Sequence, residues 1–514
     1  MHEMKHSEHP SAPHRFWGRF QLKELIGLFV VLATLYGLIA FERLGSPSEH
    51  LHFVDLANSF LHGRLDTETP SKKCRNGKTR GEAPKGYDHF VCRHVRKADG
   101  SWEGWNDWAT LHTITLKDGE QLKGVWPYGD TSGSDKYHFR TLDGDLYIID
   151  KKKDLKKGCD KKNKFKPCVE KKHFVSFPPV PALMMAPLVA FLDYRLNDVI
   201  WTICIAVLGI MALLLLLEKL SEYGWSQRSR AENLLLASLV AFGTSFFFSA
   251  VRGEVWFTAL IVGFFFNVLY LGCAVQTRHP FLAGCMLALA MGTRPPLAFG
   301  CVFFGLQLLL IQDWKEQIRR GLWFSLPILV AGGALMAFNL ARFDHAFEFG
   351  HTYLQDGMRP AIREHGLFNL HFLKANFTAA FANVPLFLTK SPFVQITRHG
   401  ISILATTPLF LLLLWPRRIK TDIPAESQHL GNKRLWIMAL ALVCVALPGL
   451  FYQNTGWSQF SYRFSIDYLP YLVMILACRG YPINRLFQVL FGLSVLISLF
   501  GAITFGRLSQ FYYG

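Results

Sequence analysis

The stretch "HFVDLANSFLHGRLD", His52–Asp66, begins about ten residues after an unbroken apolar run ends and mixes two patterns. Positions 52, 55, 58/59 and 62 form one polar stripe at helical spacing, while Phe53, Leu56, Ala57, Phe60 and Leu61 form the opposite face. The spacing predicts a short helix over 52–63 lying in a membrane interface, with Gly63 as its C-terminal stop. A plain interfacial anchor would show Lys or Arg on its polar face. This one shows carboxylate, amide and imidazole, which suits chemistry better than anchoring. Asp66 lies beyond the stop and reads as loop.

Outward from this segment the chain is dominated by apolar runs. Of 514 residues 51% are hydrophobic, and 44 are Phe. Several runs reach the roughly 20 residues needed to cross a bilayer, so the chain reads as a polytopic membrane protein. Lipid leaves the backbone of such spans no partner but itself, which makes the expected fold all-α. About eleven spans are expected, near 22–42, 196–217, 233–251, 254–275, 280–293, 296–312, 322–341, 399–415, 435–453, 465–478 and 486–506; the fifth is short for a full crossing. The first span is preceded by polar residues and followed by no small-residue cleavage site, so it reads as retained and not as a signal peptide.

Charge orients these spans. Lys5, Arg15, Arg19 and Lys23, then Lys219, Arg228 and Arg230, then Arg278, fall on one side of the alternation. So do Lys315, Arg319 and Arg320, then Arg417, Arg418, Lys420, Lys433 and Arg434, then Arg479 and Arg485. That side is expected to be cytoplasmic, with the N-terminus inside and the C-terminus outside. The expected organisation is a cytoplasmic N-terminus over 1–21, a first helix over 22–42 and an outer loop over 43–195. Helices two to seven follow over 196–342, then a second outer loop over 343–398 and the last four helices over 399–514. The net charge of +17 would suggest nucleic acid in a soluble protein, but the basic residues sit in the connections and in a Lys-rich patch over 151–172, so no nucleic-acid partner is expected. The patch reads as a solvated loop, with anionic lipid head groups or a polyanionic glycan as the functional alternative.

Within the long loop, "WATLHTITLKDGEQLKGVWPYG" and "KYHFRTLDGDLYIID" alternate apolar and polar residues around "KDGE" and "LDGD", which is hairpin chemistry. A small β-containing insertion over 70–172 is expected, followed by a proline-marked interfacial segment over 177–192. Six of the ten cysteines lie in or beside apolar spans. Cys74, Cys92, Cys159 and Cys168 share the long loop and suggest two disulfides in an oxidising compartment, their connectivity open. A zinc site is the rival reading, and it lacks any CxxC spacing.

The expected topology collects chemistry on the outer face. The first loop supplies Glu49, His52, Asp55, Asn58 and His62, and "SAVRGEVWF" supplies Arg252 and Glu254. "MGTRPP" supplies Arg294, and "NLARFDHAFEFGHTY" supplies Arg342, Asp344, His345, Glu348 and His351. "SYRFSIDYLP" supplies Tyr462, Arg463 and Asp467. Taken singly, these residues read as snorkelling side chains or local ion pairs. Together, arginines, histidines and carboxylates at one depth read as a site for an anionic lipid head group. No Walker loop, GxGxxG or HExxH is present, so the chain shows no nucleotide or zinc-protease motif.

These residues resemble the GT-C superfamily of membrane glycosyltransferases, which use polyprenyl-phosphate sugars. The resemblance lies closest to the bacterial branch related to the protein O-mannosyltransferase and aminoarabinose transferase families (glycosyltransferase family 39-like). It covers nearly the whole chain and rests on the first span with "HFVDLANSFLHGRLD", on "FPPVPALMMAPLVAF", "FGTSFFFSAVRGEVWF", "LAGCMLALAMGTRPP", "NLARFDHAFEFGHTY" and "SYRFSIDYLPYL". It implies an inverting sugar transfer at the periplasmic face of a bacterial inner membrane, from a polyprenyl-phosphate donor to a glycan, lipid or protein hydroxyl. It also implies an acidic base in the first outer loop. The family's Asp-Glu pair is missing here; Asp55, on the polar stripe, and Glu49 stand apart as candidates. Arg294 and Arg463, then Arg252 and Arg342, are the expected phosphate ligands, with His351 as proton donor or phosphate ligand. His52, Asn58, Glu254, Tyr462 and Asp467 are expected beside acceptor or sugar. No cofactor is required on this reading; some relatives use a divalent metal, which Asp55 with Glu254 or Asp467 would hold. The chain is expected to work as a monomer among membrane lipids. The rivals are an O-antigen ligase or polymerase using a diphosphate-linked glycan, and a lipid-linked sugar transporter or flippase.

Overall fold

The structure, a computed structural model, describes residues 21–48, 50–67, 108–126, 138–160, 162–354, 360–415 and 425–513. Its helices run α1 Leu22–Ala40, α2 His52–Leu61, α3 Val180–Leu192, α4 Asp198–Glu222, α5 Arg230–Gly243, α6 Ser245–Ala250, α7 Glu254–Ala274, α8 Pro280–Met291, α9 Cys301–Leu308 and α10 Trp314–Phe343. They continue as α11 Pro360–His365, α12 Leu373–Phe377, α13 Ile403–Thr406, α14 Ala425–Phe451, α15 Leu469–Arg479 and α16 Arg485–Thr504.

Six helical stretches among the described residues are long and apolar enough to cross a membrane: Leu22–Arg43, Asp198–Glu222, Glu254–Thr277, Trp314–Phe343, His429–Phe451 and Arg485–Thr504. Their surroundings divide them. In α4 and α7, 67% and 78% of the most apolar window is buried inside the protein, against 11% in α10. A helix apolar all round is either enclosed by other helices or bathed in lipid, and both kinds are present. Val30, Leu329, Val330, Trp436 and Leu496 point outward from the peripheral helices.

The other five expected spans form shorter or interrupted helices. The 233–251 stretch breaks at Thr244, whose hydroxyl caps Phe246 N and donates to Val240 O. Pro280 starts α8, Pro295 and Pro296 open a 3-10 turn before α9, Pro408 opens another after α13, and Pro470 sits in the first turn of α15. Hydropathy counts apolar residues but not these breaks, which neighbouring protein must satisfy within a bilayer.

The β-containing insertion is present. β1 Trp108–Thr115, β2 Gln121–Val125, β3 His138–Thr141, β4 Leu146–Ile148 and β5 Val169–Val175 form an antiparallel sheet in the order β4-β3-β2-β1-β5. "KDGE" and "LDGD" make the two hairpin turns, with Gly119 and Gly144 at φ +97° and +100°, which only glycine adopts freely. One face of the sheet packs Ala109, Leu111, Val125 and Phe174 on Phe343, the last residue of α10, and on Tyr353 beyond it. The other face has its own small core of Ile114, Leu122, Trp126, Phe139, Ile149 and Leu155. β5 is built from the end of the Lys-rich patch. A second sheet, β6 Leu386–Phe387, β7 Val394–Thr397 and β8 Tyr512–Tyr513, ties residues 512–513 to the connection between α12 and α13.

The segment at His52–Asp66 corrects one expectation. It is a helix, α2, and Gly63 follows it at φ +65°. It does not lie half-exposed in an interface: residues 52 to 59 are buried on both faces. The Trp108 ring at the start of β1 stacks on His52 at 3.7 Å between centroids, while α3 packs along the helix and Asp193 accepts from Asn58 Nδ2 at 3.0 Å.

Candidate functional site

Two cavities lie side by side, sharing Trp256 and Arg463 in their walls. The first, of about 280 Å³, is aromatic: Phe177, Phe347, Phe349, Phe368, Tyr452 and Phe464 line it with Pro295, Pro296 and Pro448. Its polar residues include Arg294, His351 and Arg463. The second, of about 750 Å³, is lined by four arginines, Arg43, Arg252, Arg398 and Arg463, against two glutamates, Glu42 and Glu254, with His50 and Ser48 beside them.

The arginine cavity is built where helices end. Arg43 follows α1 and donates to Val251 O and Phe505 O, each at 3.1 Å. Arg252 donates from Nη1 to Phe505 O at 2.9 Å and from Nη2 to Glu254 Oε1 at 2.6 Å. The turn holding this pair is fixed from below. Asp198, at the first residue of α4, accepts from Ser48 N, Ser48 Oγ and Glu254 N at 2.8, 2.6 and 3.0 Å. Gly253 sits against it at φ +65°, where a Cβ would come 3.0 Å from Asp198 Oδ2. One buried carboxylate therefore joins the segment after α1 to the Arg252–Glu254 turn. Arg463 donates from Nη1 to Ser458 O at 3.1 Å and lies over the Phe257 and Phe464 rings. Arg398 lies over Trp457.

The aromatic cavity holds Arg294 in a bidentate pair with Asp467, Nε to Oδ1 and Nη2 to Oδ2, both 2.7 Å. Arg294 shares the Phe464 ring with Arg463. His351 lies edge-on to Phe177 and Tyr452. Burial, reinforced by the Arg294 and Arg342 charges, lowers its pKa to about 4, so it meets a ligand as neutral imidazole with one N–H to donate.

The structure thus brings together Arg252, Glu254 and Arg463 in one cavity and Arg294, His351 and Arg463 in the other, with Asp467 behind Arg294. Arg342 stands elsewhere. It is fully buried, donates to Val175 O at 2.7 Å, to Asn339 Oδ1 at 2.9 Å and to Phe338 O, and lies over the Phe338 ring. Those contacts make it the bolt between α10 and the sheet. Asp55, Asn58 and Tyr462 are buried and line neither cavity. Asp55 lies one turn along α2 from His52, whose ring is 6.2 Å from that of Trp256 in the shared wall. Glu49, Cys74 and Cys92 lie outside the described residues, while Cys159 and Cys168 form a disulfide with each other. Among the described residues no group of three His, Cys, Asp or Glu is arranged to hold a metal.

Sequence reasoning missed Arg43, Arg398, Trp256 and Asp198. Arg43 and Arg398 carried the same signal as the arginines it selected, since each abuts an outer end of an expected span. Asp198 carried no signal, because its role depends on a loop 150 residues away in sequence.

Fold and site define a helical membrane protein with a β-sheet insertion and paired apolar and cationic cavities at helix ends. Comparison of the chain with protein-family models, curated proteins and solved structures found no match.

Proposed function

We propose that the chain is an inverting glycosyltransferase of the bacterial inner membrane, moving a sugar from a polyprenyl-phosphate donor to a hydroxyl acceptor at the periplasmic face. One observation carries the reading: an aromatic cavity and an arginine-lined cavity share a wall made of Trp256 and Arg463. A donor that is a long hydrocarbon joined to a phosphorylated sugar needs that pairing of apolar and cationic surfaces. Arginine forks match phosphate oxygens and stabilise the charge that grows on the leaving phosphate. A carboxylate, Asp55 or Glu49, deprotonates the acceptor hydroxyl as it attacks the anomeric carbon. In this reading the chain crosses the membrane eleven times, five of the crossings by broken or short helices, with its basic connections inside.

A second reading, transfer from a polyprenyl diphosphate, draws support from the four arginines set against two glutamates. A diphosphate diester carries about twice the charge of a phosphodiester and would use that excess more fully.

The test is transfer by purified protein from a panel of radiolabelled polyprenyl-phosphate and polyprenyl-diphosphate sugars, with Asp55→Asn alongside. Consumption of a monophosphate donor, abolished by the substitution, is the expected result. Transfer that survives it shifts the base to Glu49, and a panel in which no donor is bound or consumed removes the transferase reading.

A further inference from the structure

The second outer loop was expected over 343–398, and residues 366–393 within it are unusually apolar for a connection. This stretch holds two lysines, Lys374 and Lys390, and no carboxylate. Its helical part carries large apolar side chains on its outward face. Phe372, Asn376, Ala379 and Ala380 face the protein, and the Asn376 amide donates to Phe372 O and to Tyr452 O, at 3.1 and 2.7 Å. Leu370, Lys374, Phe377 and Phe381 face out, at the same helical spacing. His371 and Thr378 are exposed beside them, yet an outward row of Leu and Phe with one lysine, in a stretch without a carboxylate, is more apolar than a water-facing helix presents and calls for an apolar neighbour. The hairpin β6–β7 continues the pattern. Phe387 is 75% exposed, Phe393 61% and Leu370 73%.

We propose that residues 366–393 are seated in the lipid interface of an anionic membrane leaflet, with Phe377, Phe381, Phe387 and Phe393 in the upper acyl region and Lys374 and Lys390 among the head groups. Depth supports the assignment. The segment is strapped to the end of the candidate span His429–Phe451, with Asn369 N donating to Phe451 O and Gln453 N to Leu367 O, both at 2.9 Å. The end of a span is where the interface lies, and aromatic rings with lysine are the residues that settle there. The aromatic cavity supports it as well, because Leu367 and Phe368 line that cavity beside Pro448 and Tyr452. Seating the segment in lipid brings the cavity's rim to the bilayer. A second copy of the chain is a poorer occupant: a two-fold contact across this patch gathers lysines with no carboxylate of the segment to answer them.

Reconstitution of the full chain into nanodiscs containing phosphatidylglycerol and a phospholipid with a diazirine in its acyl chain tests the assignment. After irradiation, mass spectrometry is expected to find lipid adducts on peptides covering 377–393 and on α10, with none on the sheet peptide 138–148. In Phe387→Ser/Phe393→Ser the adducts on 377–393 are expected to drop about fivefold, those on α10 remaining as an internal reference. Should α10 be labelled while 377–393 in the parent protein is not, the proposal is overturned. Chain-to-chain cross-links within 366–393 would overturn it too, since the patch would then be a dimer contact. Neither outcome bears on whether the protein transfers sugar.

Discussion

Arg294 and Asp467 meet through two parallel hydrogen bonds of 2.7 Å, across 173 residues of sequence, with the aspartate 3% exposed. The pair joins the 3-10 turn after α8 to the turn before α15. A buried ion pair loses most when one partner is removed, because the other charge is left desolvated. Asp467→Ala is expected to cost roughly 3–5 kcal/mol of stability. The double substitution Arg294→Met/Asp467→Leu, which removes both charges, is expected to recover most of it. Thermal unfolding in detergent micelles compares the two; a double variant as unstable as the single one would show that the pair is not the source of the loss.

Arg398 and Arg342 separate binding from stability. Arg398 lines the large cavity and rests on Trp457, so Arg398→Gln removes a charge at little structural cost. It is expected to weaken polyprenyl-phosphate binding about tenfold, or ~1.4 kcal/mol, with an unchanged melting temperature. Arg342→Met strands Val175 O and Asn339 Oδ1 in the interior. It is expected to cost about 2–4 kcal/mol of stability. Isothermal titration beside thermal melts reads both, and a reversal of the two phenotypes would contradict the placement of either arginine.

The His52–Asp66 stretch shows what the sequence could and could not disclose. Its helix and its glycine stop follow from spacing and from the φ a glycine permits, which are local properties. What lies over its polar stripe is not local. The covering Trp108 belongs to a sheet whose fifth strand is spelled partly by lysines, so β5 carried no strand signature, although both hairpin turns did. The six long spans were legible because lipid demands length. The five shorter ones were legible as apolar runs but their breaks were not, because the prolines and the Thr244 cap that interrupt them are answered by neighbours that hydropathy does not record. The site was half legible: arginines at span ends were readable as a class, but which of them is a bolt, as Arg342 is, and which lines a cavity depends on contacts from distant segments.

Acid is expected to loosen the sheet and the aromatic cavity beside it. His351 is held down to about 4, His173 to about 4 and His112 to about 3, in each case chiefly by burial, and for His112 and His173 also by Lys171. Each therefore binds its proton more weakly folded than unfolded, where a histidine titrates near 6.5. The stability tied to their neutral forms is fully present above about pH 6.5 and is lost as pH falls toward 4. The melting temperature at pH 5 is expected to lie below that at pH 7.5, and His112→Phe, which keeps the bulk and removes the proton site, should narrow the gap. An identical gap in that variant would exclude His112 as a contributor.

The Cys159–Cys168 disulfide closes a short loop immediately before β5, whose first residue, Val169, pairs with Ile114. Closing a loop of about ten residues restricts the unfolded chain by roughly 2–3 kcal/mol. Backbone bonds hold the same region independently, from Thr115 N to Cys168 O and from Cys168 N to Lys156 O. Cys159→Ser/Cys168→Ser is therefore expected to leave the sheet formed but less protected. Hydrogen exchange should quicken at Thr115 and Val169 while α4 and α7 stay unchanged. Because neither cavity is lined by the sheet, polyprenyl-phosphate binding should persist. Loss of binding together with the exchange change would mean that the insertion, through its contacts with α2 and the end of α10, holds the cavities in shape.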